Sequence, residues 1–530
     1  MSEKRRQELP QDWRGRLREA SRVLYRNATL LTMDRAQPLA TCLRLAGGRI
    51  AGVGHLTPEP GEEVVDLEGA FVLPGLWDTH IHLLFYAQSL AKLDCSDCRS
   101  REELLARLEA RAGQTPAGEW VEAGGWGEGS WDDPRLPTLD ALDRASQGRP
   151  TLLSRADLHS VLVNRAALER AGIDRDTPSP AGGLIERGAD GELTGRVLDL
   201  AISMVSRVVP TPTVEQQEAA LLEATRRLHR WGIVGVCDQR IKDQSDGSLA
   251  LALYRKLRLP LRIHCNLAAH QLGPGLEPFG SGDDWIRIGH VKFFADGSLG
   301  SRSARMREPY LQAGTAEGGR GLWLTPPHEL LAGFREARRW GFPISVHAIG
   351  DEAIGAVLDA FEAIGPGPLD RIEHLQILDP ADLERVARSG ITASMQPVHL
   401  LDDRAISTRW LGERSQGYYR LASLERAGVR LAFGSDAPVA TADPWLGLRA
   451  AVERRGADSE SAWFPEECLS AESALRAYTV DGAQSLGWDG FGRLSTGAPA
   501  DLVVLDRDPQ AGCPKVLQTI VNGSVVYVGN

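Results

Sequence analysis

The chain lacks long apolar runs and has only 7 cysteines among its 530 residues. No apolar stretch approaches the roughly 18 residues of a membrane span, which argues against a membrane protein. The cysteines are odd in number and scattered, so no disulfide framework is expected. Cys95 and Cys98 have the spacing of half a zinc knuckle, but no second pair exists. We therefore expect reduced, partly buried thiols at both positions.

An excess of positive charge is also missing. The chain has 60 Lys and Arg residues against 71 Asp and Glu residues, and its net charge of -11 argues against a nucleic-acid partner. Residues 1–21 are charged and lack the apolar core of a secretory signal, so they predict only a polar extension. These features favour a cytoplasmic protein.

Both ends of the chain are rich in short β-type runs. Residues 22–74 contain several such runs separated by turn residues, and residues 488–530 return to the same pattern. Near the C-terminus, the segment VNGSVVYV has an Asn-Gly turn between two β-rich runs, which is a strong hairpin signal. We expect the two ends to meet in one small β domain.

The middle of the chain, residues 75–487, alternates short apolar runs with helical patterns. Repeated strand–helix units predict a parallel sheet, and the eight runs found here match the number that closes a (β/α)8 barrel. About 150 residues separate the first run from the second, which is too long for a loop. An inserted subdomain at about 96–205 is therefore expected, over the C-terminal barrel face where active sites lie.

Candidate metal ligands follow the apolar runs. His80 and His82 alternate on the first predicted strand, so their side chains point the same way. The fourth, fifth, sixth and eighth runs carry similar candidates at or near their ends: Lys292, His347, His374 and Asp436. Because the C-terminal ends of barrel strands meet at one mouth, these side chains predict a shared metal site.

Each of these residues also has a purely structural interpretation. His347 and His374 could be core histidines, and Asp436 could cap the helix that follows it. Lys292 is harder to explain, because a buried lysine is costly and burial lowers the pKa of its amine. The neutral amine could react with carbon dioxide to form a carbamate, or Lys292 could pair with Asp296.

The chain resembles the amidohydrolase superfamily in the motifs FVLPGLWDTHIHL, VHAIGD, RIEHLQ, FGSDAPV and GAPADLVVLD. It is similar to the branch that contains the N-substituted formamide deformylases in GGWGEGSW, SRADLHSVLVNRAAL, VKFFADGSLGSRSA and MQPVH. The resemblance covers nearly the whole chain from about residue 22. It implies a metal-carrying (β/α)8 barrel with a small β-sandwich built from both termini, and a homodimer.

The resemblance also implies one or two divalent metal ions per chain, with zinc as the expected ion. His80 and His82 would hold the first ion, and His347 and His374 would hold the second. Lys292, carboxylated at its side-chain nitrogen, would bridge the two ions. Iron, nickel and manganese also suit imidazole and carboxylate ligands.

The activity implied by the resemblance is hydrolysis of a non-peptide C–N bond, in an N-substituted amide or formamide. Asp436 would bind metal and act as general base and then general acid. A metal-dependent deaminase or esterase on the same scaffold is an alternative, since fold does not determine chemistry. A metal-free scaffold protein is a third interpretation, but the loss of ligands that would mark it is not seen in the sequence.

Substrate contacts are expected from the insertion and from loops at the barrel mouth. Arg155, Asp157 and His159 alternate on one predicted strand face. They either reach into the site or form a polar network within the subdomain. Further candidates lie beyond the fourth and seventh barrel runs and in the glycine-rich tryptophan stretch: Asp296, Arg302, His399 and Trp126.

Overall fold

The computed structural model describes residues 22–240, 249–311, 317–455 and 461–529. The polar extension expected at 1–21 lies outside these residues. The N-terminal part of the chain forms seven strands: β1 Val23–Arg26, β2 Thr29–Leu31, β3 Leu39–Ala40, β4 Cys42–Ala46, β5 Arg49–Gly54, β6 Glu63–Asp66 and β7 Phe71–Pro74.

The first barrel strand is followed by a helix and then by the insertion. These two elements are β8 Leu76–Ile81 and α1 Leu83–Ser89. The insertion strands are β9 Leu93–Asp94, β10 Val121–Trp126, β11 Thr151–Arg155, β12 Ser160–Val163, β13 Gly183–Arg187 and β14 Leu193–Asp199. Its helices are α2 Arg101–Gln114, α3 Leu139–Ser146, α4 Arg165–Ala171 and α5 Ser203–Ser206. The six strands form a sheet of their own, in the order β13-β14-β12-β11-β10-β9.

Seven more strands complete the barrel. They are β15 Ile233–Asp238, β16 Arg262–Ala268, β17 Ile286–Phe294, β18 Ile344–Ala348, β19 Arg371–His374, β20 Thr392–Met395 and β21 Leu431–Phe433. The surrounding helices are α6 Val214–Arg230, α7 Leu249–Leu257, α8 Pro327–Arg339, α9 Asp351–Ile364, α10 Leu383–Ser389, α11 Leu400–Leu411, α12 Leu421–Arg426, α13 Pro444–Glu453, α14 Ala471–Ala477 and α15 Val480–Ser485.

The eight barrel strands pair in parallel in chain order, which confirms the predicted (β/α)8 architecture. The segments that follow the first and the last of these strands are also hydrogen-bonded to each other. The amide of Asp436 donates to the carbonyl of His80 at 2.7 Å, and the amide of His82 donates to the carbonyl of Ala437 at 3.0 Å. These bonds bring the segments that follow β8 and β21 side by side at the barrel mouth.

The barrel helices follow from amphipathic patterning and capping. Helix α6 begins after Thr213, whose hydroxyl accepts from the amide of Gln216, while the Gln216 side chain accepts from the amide of Thr213. Leu221 and Leu228 lie on its buried face, against the core shared with the barrel strands. Within the described parts of the chain, no helix is long and apolar enough to cross a membrane.

The two ends of the chain meet in a β-sandwich, as predicted. The C-terminal strands are β22 Leu502–Leu505, β23 Val516–Val521 and β24 Ser524–Val528. Strand β22 pairs antiparallel with β7, so one sheet runs β24-β23-β22-β7-β2-β3 and the other runs β5-β4-β1-β6. Apolar side chains from both sheets share one core, including Leu30, Leu43 and Leu502.

Candidate metal centre

Two histidines and one aspartate converge at the barrel mouth. The Nε2 atoms of His80 and His82 each lie 3.3 Å from Oδ1 of Asp436. All three side chains are buried, and their ligand atoms lie within 4.8 Å of one another. The positions reflect the strand ends, because His80 lies in β8, His82 follows it, and Asp436 follows β21.

The orientation of His80 indicates what this group can hold. Its Nδ1 donates a hydrogen bond to Oε2 of Glu373 at 2.7 Å. The bond leaves Nε2, the other ring nitrogen, facing the Asp436 carboxylate. A divalent cation placed between this nitrogen and the carboxylate would bind both. Two imidazoles and a carboxylate are a donor set that zinc accepts, so the residues present fit a divalent metal.

The protonation of the group suits metal binding as well. Burial lowers the pKa of His82, which keeps its imidazole in the neutral, ligating form. Burial opposes ionisation of Asp436, but His80 and the neighbouring imidazoles hold the pKa of this carboxyl well below its usual range. Within the described residues, His82 Nδ1 is buried and has no hydrogen-bond partner.

A buried carboxylate that the sequence analysis did not select holds His80 in place. Glu373 accepts from His80, from Nε of Arg371 at 2.8 Å and from Oγ of Ser345 at 2.7 Å. Burial would raise the pKa of Glu373, but Arg371 and His80 lower it well below the usual value. The sequence offered one sign of this role, because Glu373 directly precedes the candidate ligand His374 in the segment RIEH.

The Gly-Ser-Asp segment before the eighth-strand aspartate packs closely on the first strand. A Cβ at Gly434 would lie 2.4 Å from the amide nitrogen of His80, so only glycine fits there. Asp78 accepts from the amides of His80 and Ser435 at 3.1 and 3.0 Å, and burial raises its pKa to about 6. This contact fixes Asp436 relative to the two histidines.

The two other histidines lie beside this group. The ring centroid of His374 is 4.9 Å from that of His80 and 4.6 Å from that of His347. His347 donates from Nε2 to the carbonyl of Gly297 at 3.0 Å. His374 and Asp436 both have left-handed backbone, with φ of 72° and 61°. Such strain costs about 1–3 kcal/mol per residue and clusters at functional sites.

Lys292 is fully buried in β17, as the sequence predicted. Its Nζ has no hydrogen-bond partner among the residues that the structure describes, and it lies 5.0 Å from the ring centroid of Phe294. Burial lowers the pKa of Lys292 to about 8, so part of the population is neutral near neutral pH. The alternative pairing with Asp296 is not the one found, because that carboxylate accepts backbone amides, including those of Ile349 and Gly350.

His399 faces the second carboxylate oxygen of Asp436. Its Nε2 is 3.4 Å from Oδ2 of Asp436. His374, His399 and Asp436 form a second group whose ligand atoms lie within 4.8 Å of one another. His399 stands directly before α11 and lines a cavity of about 2440 Å³ above the barrel mouth.

Arg155, Asp157 and His159 all line the cavity, but only Arg155 lies in a strand, because Asp157 and His159 belong to the turn between β11 and β12. Arg155 pairs with Asp157 at 2.8 Å and with Glu128 at 2.8 Å. Asp157 in turn accepts from Ser298 Oγ at 2.6 Å, so the pair forms a buried network between the insertion and the loop after β17. His159 instead lies beside the ligand group, with its ring centroid 5.5 Å from that of His347. Its Nδ1 donates to Asp199 Oδ1 at 2.5 Å.

Three predicted contact residues are not brought to the cavity. Trp126 is fully buried in the core of the insertion, where its Nε1 donates to the carbonyl of Leu153 at 2.9 Å. The guanidinium of Arg302 packs 5.5 Å from the ring centroid of Trp410. Asp296 is fully buried behind His347, with an oxygen 3.5 Å from its Nε2. None of the three is among the described residues that line the cavity.

Known proteins share this sequence and architecture. The profile of the amidohydrolase family matches residues 63–527. The chain is 33% identical over 485 residues to YtcJ of Bacillus subtilis, covering 88% of this chain and 91% of that protein. It is 29% identical over 544 residues to the N-substituted formamide deformylase of Arthrobacter pascens, covering 94% and 97%.

A solved structure agrees with these relatives. An uncharacterised metal-dependent hydrolase from Pyrococcus furiosus superimposes with a TM-score of 0.72 at 28% identity, over 92% of this chain and 100% of that one. The matched region includes all the candidate ligands: the strand-end histidines, the buried lysine and the aspartate after the eighth strand. The chain belongs to the amidohydrolase family and is a hydrolase that acts on carbon–nitrogen bonds.

Proposed function

We propose that the protein is a zinc-dependent hydrolase that cleaves the C–N bond of a small N-substituted amide or formamide. The observation that carries this proposal is the convergence of His80 Nε2 and His82 Nε2 on Asp436 Oδ1, each at 3.3 Å. The substrate class follows the deformylase relative, whose sequence aligns with 94% of this chain.

The ion would be held by His80, His82 and Asp436. When bound, a divalent metal supplies Lewis-acid chemistry, since it lowers the pKa of water towards about 7 and polarises a carbonyl group. Zinc is the expected ion because imidazole and carboxylate ligands suit it. The buried bond between His80 and Glu373 keeps Nε2 directed at the site.

The chain's own proton carrier is Asp436. Its carboxylate lies at the barrel mouth beside the candidate ligands, where it would accept a proton from the attacking water. The same group then returns the proton to the leaving nitrogen, because an amine leaves an amide only when protonated. Its left-handed backbone and the contact through Asp78 and Ser435 hold the carboxylate in position for both steps.

Lys292 extends the ligand set in this proposal. Its depressed pKa makes the neutral amine available, and that amine would combine with carbon dioxide and release one proton to solvent to give an anionic carbamate. The modified side chain would bridge toward a second ion with His347 and His374. Nζ has no hydrogen-bond partner within the described residues, and this supports a lysine that is carboxylated in the active protein.

The cavity above the site would receive the substrate. It lies between the barrel mouth and the insertion, and His159 lines it beside His347. Because Asp199 binds Nδ1, the ring of His159 has a fixed orientation and can position a polar group of the substrate.

The proposal is tested by hydrolysis of N-benzylformamide with the zinc-loaded enzyme, by detection of both formate and benzylamine. Asp436→Asn is expected to lower kcat about 10²–10⁴-fold, because it removes the proton carrier. His328→Ala is the matched control, since that side chain is 82% exposed. Wild-type activity in Asp436→Asn would contradict the proposal, as would the absence of formate and benzylamine with the zinc-loaded wild type.

A further inference from the structure

The cavity above the metal centre contains a carboxylate that the proposed reaction does not use. Asp403 lies in α11 and lines this cavity, as do His399 and Gln376. Its side chain is half-buried. Neither the metal ligands nor the proton steps assigned to Asp436 involve Asp403, so its role in the cavity is a separate question.

Helical geometry places Asp403 close to the reacting groups. The backbone is already helical at His399, with φ of -62° and ψ of -23°, and α11 continues from Leu400. Residues four apart in a helix lie on the same face, about 6 Å apart along its axis. The Nε2 atom of His399 lies 3.4 Å from Oδ2 of Asp436. Asp403 therefore lies one helical turn further along the same wall of the cavity.

Two side chains orient the Asp403 carboxylate. Gln376 donates from Nε2 to Oδ2 of Asp403 at 2.9 Å, and the hydroxyl of Tyr418 donates to the same oxygen. Burial and the charge of Asp403 raise the pKa of Tyr418 well above its usual value, so this hydroxyl stays protonated. A carboxylate offers about four acceptor positions, so Asp403 can hold donors of the protein and of a substrate together.

A carboxylate in this position selects a ligand by its charge. Charge-assisted hydrogen bonds are about twice as strong as neutral ones, so an ammonium donor is favoured over a neutral donor. A ligand carboxylate in the same place is repelled. Arg155, whose pKa the charge of Asp403 helps to raise, forms its ion pairs with Glu128 and Asp157.

We infer that Asp403 is a specificity-determining residue that binds an ammonium group on the N-substituent of the substrate. The substituent then spans the helical turn that separates Asp403 from His399, while the scissile bond lies at Asp436. The inference rests on the proposed function, because it requires that the amide is cleaved at the metal centre.

The test compares three substrates on the zinc-loaded, full-length protein: N-[4-(aminomethyl)benzyl]formamide, N-(4-methylbenzyl)formamide and N-(4-carboxybenzyl)formamide. For wild type, kcat/KM is expected to be about 10–100-fold higher for the ammonium compound than for the methyl compound, and lowest for the carboxylate. In Asp403→Asn, the ratio of ammonium to methyl compound should fall to near one. A general loss of activity cancels in this ratio, because both substrates are measured on one protein.

Matched variants make the comparison specific. Asp359→Asn is expected to keep the wild-type ratio, since that side chain is 74% exposed on α9. Asp403→Ala repeats the test if Asp403→Asn does not fold. A wild-type ratio near one, or the wild-type ratio in both Asp403 variants, would overturn the role of Asp403 alone, because cleavage of the methyl compound still upholds the proposed function. Failure of wild type to hydrolyse any of the three compounds would overturn the proposed function and this inference together.

Discussion

Glu373 and His374 are consecutive residues that both reach the site, although neighbouring side chains in a strand point to opposite faces. Strand β19 ends at His374, whose φ of 72° departs from the strand conformation. The change in backbone direction lets Glu373 accept from His80 inside the barrel while His374 lies at the mouth. One strained residue thereby supplies both a ligand and the support for another ligand.

Replacing Glu373 should weaken metal binding without removing a ligand. Glu373→Gln loses the carboxylate that fixes His80, and such a change typically costs about 10–100-fold in metal affinity. Competition with a chromophoric chelator measures the dissociation constant. Glu362→Gln, on the surface of α9 with a side chain 55% exposed, is the control. Equal affinities for the two variants would show that Glu373 does not support the site.

The sequence predicted which side chains converge at the barrel mouth better than it predicted what holds them there. The pattern of His80 and His82 in a strand indicates a shared direction, and the ends of barrel strands must converge. Glu373 could not be assigned, because its role depends on a contact across the barrel with β8. Trp126 was predicted as a substrate contact, but an irregularity between Gly124 and Trp126 breaks the alternation of β10 and this ring packs in the core of the insertion.

At the scale of elements, the insertion is fastened to the barrel by buried charges. Arg155 ends β11 and binds Glu128 and Asp157, while Asp157 accepts from Ser298 and Ser301 in the loop after β17. The sequence placed these residues on one face but left open whether they reach the site or form a network. Arg155 and Asp157 line the cavity and also form a network, because the barrel loop supplies hydroxyl donors that lie about 140 residues away in the chain.

Replacing Arg155 should lower the free energy of unfolding. Arg155→Met leaves the Glu128 and Asp157 carboxylates buried without their cation, and breaking a buried pair in this way costs about 3–5 kcal/mol. Urea unfolding measures the change in free energy. Arg165→Met is the matched control, because that surface arginine is 58% exposed and its pairing is worth about 0–1 kcal/mol. Similar losses in both variants would mean that the network does not hold the insertion.

Helix α13 carries a pH-dependent cap. Asp443 accepts from the amide of Trp445 at 2.9 Å, and burial raises the pKa of Asp443 to about 6. An unfolded aspartate titrates near about 3.9, so the folded state holds this proton more tightly. Its contribution to stability is therefore present below about pH 4 and is lost as the pH rises through about 6.

Asp443→Asn should remove this pH dependence while keeping the cap, since asparagine caps helices as well as aspartate does. The variant is expected to melt at the same temperature as wild type at pH 4 and at a higher temperature at pH 8. Calorimetry at the two pH values measures the difference. A lower melting temperature than wild type at pH 8 would show that the ionised carboxylate stabilises the helix.

At the scale of the whole molecule, the β-sandwich and the barrel are joined by a buried ion pair. Arg262 in β16 donates to both oxygens of Asp501 at 3.0 and 2.9 Å, and it stacks 4.0 Å from the ring centroid of Trp285. The carbonyl of Asp501 accepts from the amide of Gly75, just before the first barrel strand. The sequence indicated that both ends form one β domain, but only the folded chain identifies these partners.

The most direct test of the metal centre is anomalous scattering from crystals of the zinc-reconstituted protein, recorded on both sides of the zinc absorption edge. A site at the first-strand histidines predicts an anomalous peak about 2.0–2.2 Å from His80 Nε2, His82 Nε2 and an oxygen of Asp436. No peak at these atoms, or a peak only elsewhere, would contradict the metal centre and the hydrolysis proposed for it.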